Sequence, residues 1–450
     1  MATNLRKTAA NMLLNIEKNG AYINIEMNKL RKEKIHSEKD IRLIGEIVNG
    51  VIKRKITLDY VISLHSSTKL KKIAPYVLNV LRIGVYQLLF MDKIPPNAAV
   101  DECVKIIKKS SVSRLSGYVN AVLRKVKEND ILNLPNKTPQ DLSIKYSYPL
   151  WLTERWVNNF GTSFTKELLF SLNKKSPLYI RCNTLVNSID EFKKKLDDAA
   201  IRYEEVKLKG FKGYNYSFKL PNIKDISLVP GFNEGSFYIQ DPAASLAAYL
   251  LEPKENDFII DLCAAPGGKS LFIADLINNK GNIISCDIYE HKLKLISENA
   301  LKCKATSITP VLNDACVLNK EWLGKADRVL CDVPCSGFGI IRKKPDIKYA
   351  RCQEDIDELS SLGFSILENA AKYLKPNGVL VYSTCTIEKE ENEEVVNKFL
   401  KNHSEFSIYP FGDGEYESGF YTSYPNITDT DGFFICRLRK QAEPAPMSRA

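Results

Sequence analysis

Two cysteines stand out by position. Cys335 lies in Asp332-Val-Pro-Cys-Ser-Gly-Phe-Gly339 and Cys385 in Val381-Tyr-Ser-Thr-Cys-Thr386. Each follows a short apolar run of strand length and begins a turn, so each thiol is expected at a strand tip. A thiolate there can attack an electron-poor carbon. Cys103, Cys303 and Cys436 lack that setting and read as small buried hydrophobes. The segment Asp261-Leu-Cys-Ala-Ala-Pro-Gly-Gly-Lys-Ser270 also follows an apolar run, and it opens a helical pattern. The small residues Cys263, Ala264, Ala265, Pro266, Gly267 and Gly268, ending at Lys269, let backbone N–H groups approach a ligand. A helix N-terminus favours a carboxylate or a phosphate. A Walker loop would need glycine where Cys263 stands, and the G-x-G-x-x-G spacing is missing too. A nucleotide bearing a free carboxylate suits the loop, and S-adenosylmethionine is one. Acids recur at the ends of the following runs: Asp287, Asp314 and Asp332. Asp287 can accept from ribose hydroxyls and Asp314 can face the adenine amine or the ribose. Singly each is an ordinary cap or solvated acid; in register they outline a nucleotide pocket.

One reaction explains why a thiol should stand beside a methyl donor. Carbon 5 of cytosine is a poor nucleophile. A thiolate that adds at carbon 6 makes carbon 5 enamine-like, able to attack a methyl sulfonium. The carbon-5 proton must then leave so that the thiol is expelled. An acid such as Asp332 could hold the N3/N4 edge of the base, and Lys269 could add electrostatic support.

The surrounding elements follow from periodicity. Residues 1–132 read as successive helices, with Ile41, Ile44, Val48 and Val51, then Val77, Leu81, Val85 and Leu88, at helical spacing. Further helices are expected near Ala98–Lys109 and Ser116–Lys127, and Asn133–Gln140 reads as a linker. Residues 141–234 form a small α+β module, with strands at Leu178–Cys182, Arg202–Val206 and Asn215–Leu220 and a capping box at Ser188 and Glu191. Residues 235–440 alternate short apolar strands with helices, the grammar of a mostly parallel, doubly wound sheet whose ligands bind beyond the strand ends. Residues 441–450 read as a disordered tail.

Composition sets the outer limits. A chain of 450 residues with 44% hydrophobic and 26% charged residues is globular. No apolar run is long enough to span a membrane. The eleven scattered cysteines form no C-x-x-C, which argues against a disulfide framework or zinc ribbon and for a reducing cytoplasm. The four histidines are dispersed, so no metal is expected. Residues 1–145 hold 26 Lys+Arg against 13 Asp+Glu, and the remainder is slightly acidic. Such a concentrated positive field favours a polyanion, with clusters at Lys29–Lys34, Lys53–Lys55, Lys69–Lys72 and Lys105–Lys109.

The segments DLCAAPGGKS, DVPCSGFG and VYSTCTIEKEENE resemble the motifs of the RNA 5-methylcytosine methyltransferase family. Phe237-Tyr-Ile-Gln-Asp-Pro-Ala243 and Asp431-Gly-Phe-Phe434 resemble its flanking motifs. With a NusB-like helical domain in front, the match is closest to the bacterial Sun/RsmB branch. The resemblance implies a multidomain chain: an all-α NusB-like domain, the α+β module, and a C-terminal α/β Rossmann-like methyltransferase domain. It implies S-adenosylmethionine held by Cys263–Lys269, Asp287, Asp314 and Asp332, with Cys385 as nucleophile and Cys335 assisting product release. It implies 16S ribosomal RNA as partner and cytosine 967 as the target. Val333 stands where the family more often has alanine, which leaves Asp332 and Cys335 intact. The loop Ile341-Arg-Lys-Lys-Pro-Asp-Ile347 also resembles the family and is expected on RNA backbone. A monomer is expected. Two other readings stay open: the same chemistry on transfer RNA or another ribosomal site, and a non-catalytic RNA-binding or antitermination factor.

Overall fold

The computed structural model describes residues 4–19, 22–132, 134–221, 223, 225–412 and 416–442. The expected tail lies outside the described residues beyond residue 442. The chain divides into two compact units, Met1–Lys174 with Ile341–Arg351, and Lys175–Ile340 with Cys352–Ala450.

The first unit is helical. Its longest helix, Glu38–His65, starts at Ser37, whose hydroxyl accepts from the Asp40 N–H. Ile44, Ile47, Val48, Val51, Leu58, Val61 and Ile62 face inward from it and are almost wholly buried. Helices Leu5–Asn19, Pro75–Phe90, Pro96–Lys108 and Ser116–Leu123 surround that stripe, two of them with proline in the first turn. Arg82 is the polar centre of the bundle: it is bidentate on Asp59 at 2.6 and 2.8 Å and also bonds Glu17 and Asn79. Pro139–Tyr146, Leu150–Phe160 and Thr162–Asn173 are further helices of this unit, where an α+β module was expected to begin. A capping box at Thr138 and Asp141 starts the first of them, a signal inside the segment read as linker.

The loop expected on RNA backbone is corrected in part. Arg342 is 5% exposed and Lys348 is fully buried, both within the helical unit. Arg342 donates to the Ser171 hydroxyl at 2.6 Å, and Lys348 donates to the Lys53 carbonyl at 2.8 Å beneath the Tyr148 ring. Only Lys343 and Lys344 of its cations are exposed. The Lys53–Lys55 cluster is likewise spent internally, Arg54 over Phe90 and Lys55 on Glu17.

The second unit holds two sheets. The smaller is antiparallel, from β1 (Leu178–Cys182), β2 (Glu204–Glu205), β3 (Ser217–Leu220) and β4 (Phe237–Ile239) in the order β2-β3-β1-β4. The capped helix Ile189–Asp198 packs Phe192 and Leu196 on it. The larger sheet contains β5 (Phe258–Asp261), β6 (Asn282–Asp287), β7 (Ile308–Leu312), β8 (Ala326–Asp332), β9 (Leu374–Thr384), β10 (Phe406–Ile408) and β12 (Phe433–Lys440), with β11 (Phe420–Ser423) paired to β12. Its order is β10-β12-β9-β8-β5-β6-β7; β5 to β9 run parallel, while β10 and β12 are antiparallel. Successive residues feed opposite faces: Leu330, Val381 and Ile435 join one core, and Val329, Cys331, Leu380, Tyr382, Phe434 and Cys436 the other. The chain goes outward from β5 to β6 and β7, then returns to β8 on the other side of β5. The switch point therefore lies between β5 and β8, whose carboxyl ends carry Asp261 and Asp332.

Candidate active site

At the switch point the chain after β5 makes a tight cradle. Leu262 N–H bonds the Leu330 carbonyl at 3.0 Å and Ala264 N–H the Cys286 carbonyl at 2.7 Å, so the loop is pinned to both neighbouring strands. Gly267 takes φ 102°, a conformation side chains rarely adopt, and Gly268 begins the helix Gly268–Leu276. A Cβ on Gly268 would stand 2.8 Å from the Tyr238 ring. Below the cradle, Asp261 is fully buried and accepts from the Ser270 hydroxyl at 2.7 Å. Its second oxygen, Oδ1, has no hydrogen-bond partner. Burial, helped by the Asp332 charge, pushes this carboxyl up to about 7, although the Ser270 hydroxyl, Lys269 and the Cys263 N–H oppose the shift. A buried, half-satisfied carboxyl under glycine backbone fits a ligand that brings a cationic donor. The ammonium of S-adenosylmethionine is such a group.

Asp287 ends β6, is 7% exposed, accepts from Tyr289 N–H at 3.1 Å and lies 3.4 Å from Lys292. Asp314 follows β7 but is exposed, and its carboxylate caps Cys316 N–H at 2.9 Å. Asp332 ends β8. One of its oxygens takes the Lys269 ammonium and the other accepts from Ser383 of β9 at 2.9 Å. Burial disfavours the Lys269 charge, but Asp332 outweighs it, helped by Asp261 and Cys385, and the lysine titrates above its usual range. It stays an ammonium at neutral pH.

Beyond Asp332 the chain turns at Pro334, and beyond Thr384 it turns again. The register pairs Asp332 with Ser383, which places the two turns side by side. The sulfurs of Cys335 and Cys385 are 3.3 Å apart, and the Cys385 N–H points at the Cys335 sulfur at 3.2 Å. The hydrogen bond with Cys385, together with burial, holds the Cys335 thiol well above the ordinary thiol range. Gly339 N–H bonds the Cys385 carbonyl at 3.0 Å, and a Cβ on Gly339 would collide with the Gly432 carbonyl at 1.9 Å. The pair of thiols, one ammonium and one carboxylate at the mouth of a nucleotide cradle is suited to transfer of a methyl group to a ring carbon.

Comparison with known proteins agrees. Residues 248–439 match the family model "16S rRNA methyltransferase RsmB/F", residues 3–128 the NusB family, and residues 148–210 a Methyltr_RsmF/B-like ferredoxin-like domain. A probable ribosomal RNA small subunit methyltransferase B of Bacillus subtilis is 34% identical over 98% of this chain and 99% of its own length. The chain belongs to the RsmB/F family. A ribosomal RNA small subunit methyltransferase B of Cronobacter sakazakii is 30% identical over 97% of this chain and 99% of its own. The crystal structure of PH0851 superposes with a TM-score of 0.78 at 27% identity, over 98% of this chain and 100% of that one. That of NSun6 from Pyrococcus horikoshii with SFG gives 0.56 at 25%, over 66% and 100%. As an RsmB/F protein this chain is a ribosomal RNA small-subunit 5-methylcytosine methyltransferase that uses S-adenosylmethionine.

The RsmB/F fold gathers most of the residues singled out in the sequence. Lys269, Asp332, Cys335 and Cys385 converge, and the loop from Cys263 to Lys269 borders them. Cys263 itself is half-exposed and packs partly into the core, where burial drives its thiol well up, so the loop offers backbone rather than this thiol. Asp287 reaches the cradle through its strand, while Asp314 serves its own turn. Two residues were missed. Asp261 was treated as the first letter of a motif, yet its place at the end of a central strand was a signal. Glu391 lies in the motif segment VYSTCTIEKEENE without a role of its own, and it is 1% exposed. The flanking motifs meet where Asp431 N–H bonds the Asp241 carboxylate at 3.1 Å, and Asp241 caps the helix Pro242–Leu250. Among the described residues no cluster of three or more His, Cys, Asp or Glu could hold a metal ion.

Proposed function

We propose that this enzyme methylates carbon 5 of cytosine 967 in 16S ribosomal RNA through a transient bond from Cys385 to carbon 6. The observation that carries the reading is the pair of sulfurs 3.3 Å apart at the tips of β8 and β9, beside the Lys269–Asp332 pair. Cys385 is the nucleophile: its thiolate bonds carbon 6, and the ring electrons pass toward carbon 5 and N3. Asp332 and Lys269 hold the N3/N4 edge and balance charge that builds there. The Cys263–Lys269 backbone, Asp261, Asp287 and Asp332 would hold S-adenosylmethionine, which would supply the methyl group that carbon 5 takes. The family resemblance alone assigns the adenine side to Asp314, which is exposed two residues beyond β7 and caps Cys316 N–H. The carbon-5 proton then passes to water, the electrons of its bond restore the ring double bond, the carbon–sulfur bond breaks, and Cys385 departs as thiolate. Cys335, a neutral thiol in the free enzyme, assists that departure from van der Waals distance.

The target base must leave its stack to reach such a site. The helical unit offers exposed cations at Lys29, Lys69, Lys71, Lys72 and Lys105 for RNA phosphates. The cysteines of the chain are all free, in keeping with a cytoplasmic enzyme, and we read it as acting alone as a monomer. The deciding experiment is transfer of a labelled methyl group to unmodified 16S ribosomal RNA, followed by mapping of the labelled nucleotide. Label at cytosine 967 supports the proposal; label elsewhere in ribosomal RNA, or on transfer RNA only, overturns the target.

A further inference from the structure

The two cysteines sit on different turns, and one buried side chain that touches neither sulfur helps to tie those turns together. Glu391, 1% exposed, precedes the helix Glu393–Asn402. Its Oε1 accepts from the backbone N–H of Ser336 at 2.7 Å, and its Oε2 accepts from the Ser336 hydroxyl at 2.6 Å. The Ser336 hydroxyl is also 2.8 Å from the hydroxyl of Thr386. The main-chain carbonyl of Glu391 accepts from Tyr382 of β9 at 2.7 Å. One residue therefore grips the neighbour of Cys335 twice, and is itself held by the strand that delivers Cys385. Of the direct links, Gly339 N–H to the Cys385 carbonyl at 3.0 Å acts four residues beyond Cys335, and the one at the sulfurs, Cys385 N–H to the Cys335 sulfur, is weak because a thiol sulfur is a poor acceptor. Two charge-assisted bonds in a buried setting outweigh it.

We propose that Glu391 is a positioning residue that sets the separation between the Cys335 and Cys385 sulfurs by holding Ser336. The inference rests on the two-cysteine reading above.

The test uses the full chain and two readouts. The first is independent of the reaction: diamide takes one hydrogen from each thiol, the two sulfurs join, and the rate of the Cys335–Cys385 cross-link is followed by peptide mass spectrometry. Losing two bonds to a charged group predicts that Glu391→Ala slows the cross-link by about tenfold or more. Ser336→Ala slows it less, and the double variant is no slower than Glu391→Ala, because both act through one contact. Glu391→Gln, which can still meet both groups of Ser336, restores the rate. Affinity for S-adenosylmethionine reports that each variant is folded. If Glu391→Ala loses that affinity, Glu391→Asp decides: its shorter arm cannot hold both groups, so a wild-type cross-linking rate refutes the proposal. Additive effects of Ser336→Ala and Glu391→Ala refute it as well.

The second readout is the denaturant-resistant protein–RNA adduct. Cys335→Ala accumulates it, and Glu391→Ala does the same while Glu391→Gln does not. If Cys335→Ala forms no adduct, the two-cysteine reading fails and the cross-link still judges Glu391. If Cys335→Ala forms adduct, while Glu391→Ala neither forms it nor slows the cross-link, the role of Glu391 alone is refuted.

Discussion

The half-satisfied Asp261 carboxyl makes a quantitative demand on cofactor binding. In the free enzyme burial pushes it up to about 7. When the cofactor ammonium pairs with its open Oδ1, the carboxyl must be ionised. Below neutrality binding therefore expels a proton. At pH 5.5 a group with that pKa is ionised to only about 3%, and at pH 7.5 to about 75%, by the titration relation. The α-amino group of the donor, with a pKa of about 7.7–8.0, loses part of its charge at the upper end. The net expectation is binding on the order of 20-fold tighter at pH 7.5 than at pH 5.5, about 1.8 kcal/mol at 1.36 kcal/mol per tenfold. Isothermal calorimetry at both pH values, in two buffers of different ionisation heat, measures affinity and counts protons. Close to one proton should be released at pH 5.5. Asp261→Asn should bind more weakly and lose both the slope and the proton. Equal affinities at the two pH values, or an unchanged slope in Asp261→Asn, would refute the assignment.

The same group shapes the stability of the free protein, with a fixed sign. Its folded pKa exceeds the unfolded value of about 3.9. The stability it contributes is therefore fully present below about pH 4 and lost as pH rises through about 7. Asp261→Asn should flatten that part of the stability profile.

Other expectations are simpler. Cys385→Ala should abolish methyl transfer in a labelled-donor assay, with cofactor affinity within about twofold of wild type because its side chain lies outside the cradle; substantial residual transfer would remove the nucleophile assignment. Gly268→Ala should weaken cofactor binding by about ten- to a hundredfold, because its Cβ would press on Tyr238 at 2.8 Å and on the Gln240 amide at 3.2 Å. An unchanged affinity in calorimetry would show that the loop yields. Arg181→Met should destabilise the second unit by about 3–5 kcal/mol, read as a lowered calorimetric transition, since it strands the buried Asp275 carboxylate. Arg181 also donates to the Gly268 carbonyl at 3.4 Å and covers the Phe272 ring, so cofactor affinity should fall with it.

Legibility followed the range of the interactions involved. The period alone reads strands at Phe258–Asp261, Asn282–Asp287 and Asp327–Asp332 and helices at Glu290–Lys302 and Glu354–Leu374, each within a residue of β5, β6, β8 and the helices Glu290–Lys302 and Gln353–Tyr373, because hydrophobic pattern is local. Strands β10, β11 and β12 went unread. β12 pairs antiparallel with β9, far off in sequence, as Arg437 opposite Val381 shows, and β10 and β11 in turn pair with β12. The helices between Pro139 and Asn173 are not legible because they are short and mixed in polarity; Pro139–Tyr146 packs on the long helix Glu38–His65, and Leu150–Phe160 and Thr162–Asn173 pack on Pro139–Tyr146 and on each other.

The sequence by itself determined the reactive groups: thiols at two strand ends, a glycine-rich turn, and acids in step with successive strands. Residue type and local period suffice for that, because covalent chemistry and secondary-structure preference are properties of short segments. Only the tertiary structure decided which groups meet. The strand order put Asp261 beside Asp332, and the β8–β9 register brought two sulfurs together from positions 335 and 385. Burial then set Glu391 against Ser336 and left Asp261 with an enclosed oxygen that has no partner. Proximity and desolvation depend on everything packed around a group, and no short window of sequence contains that.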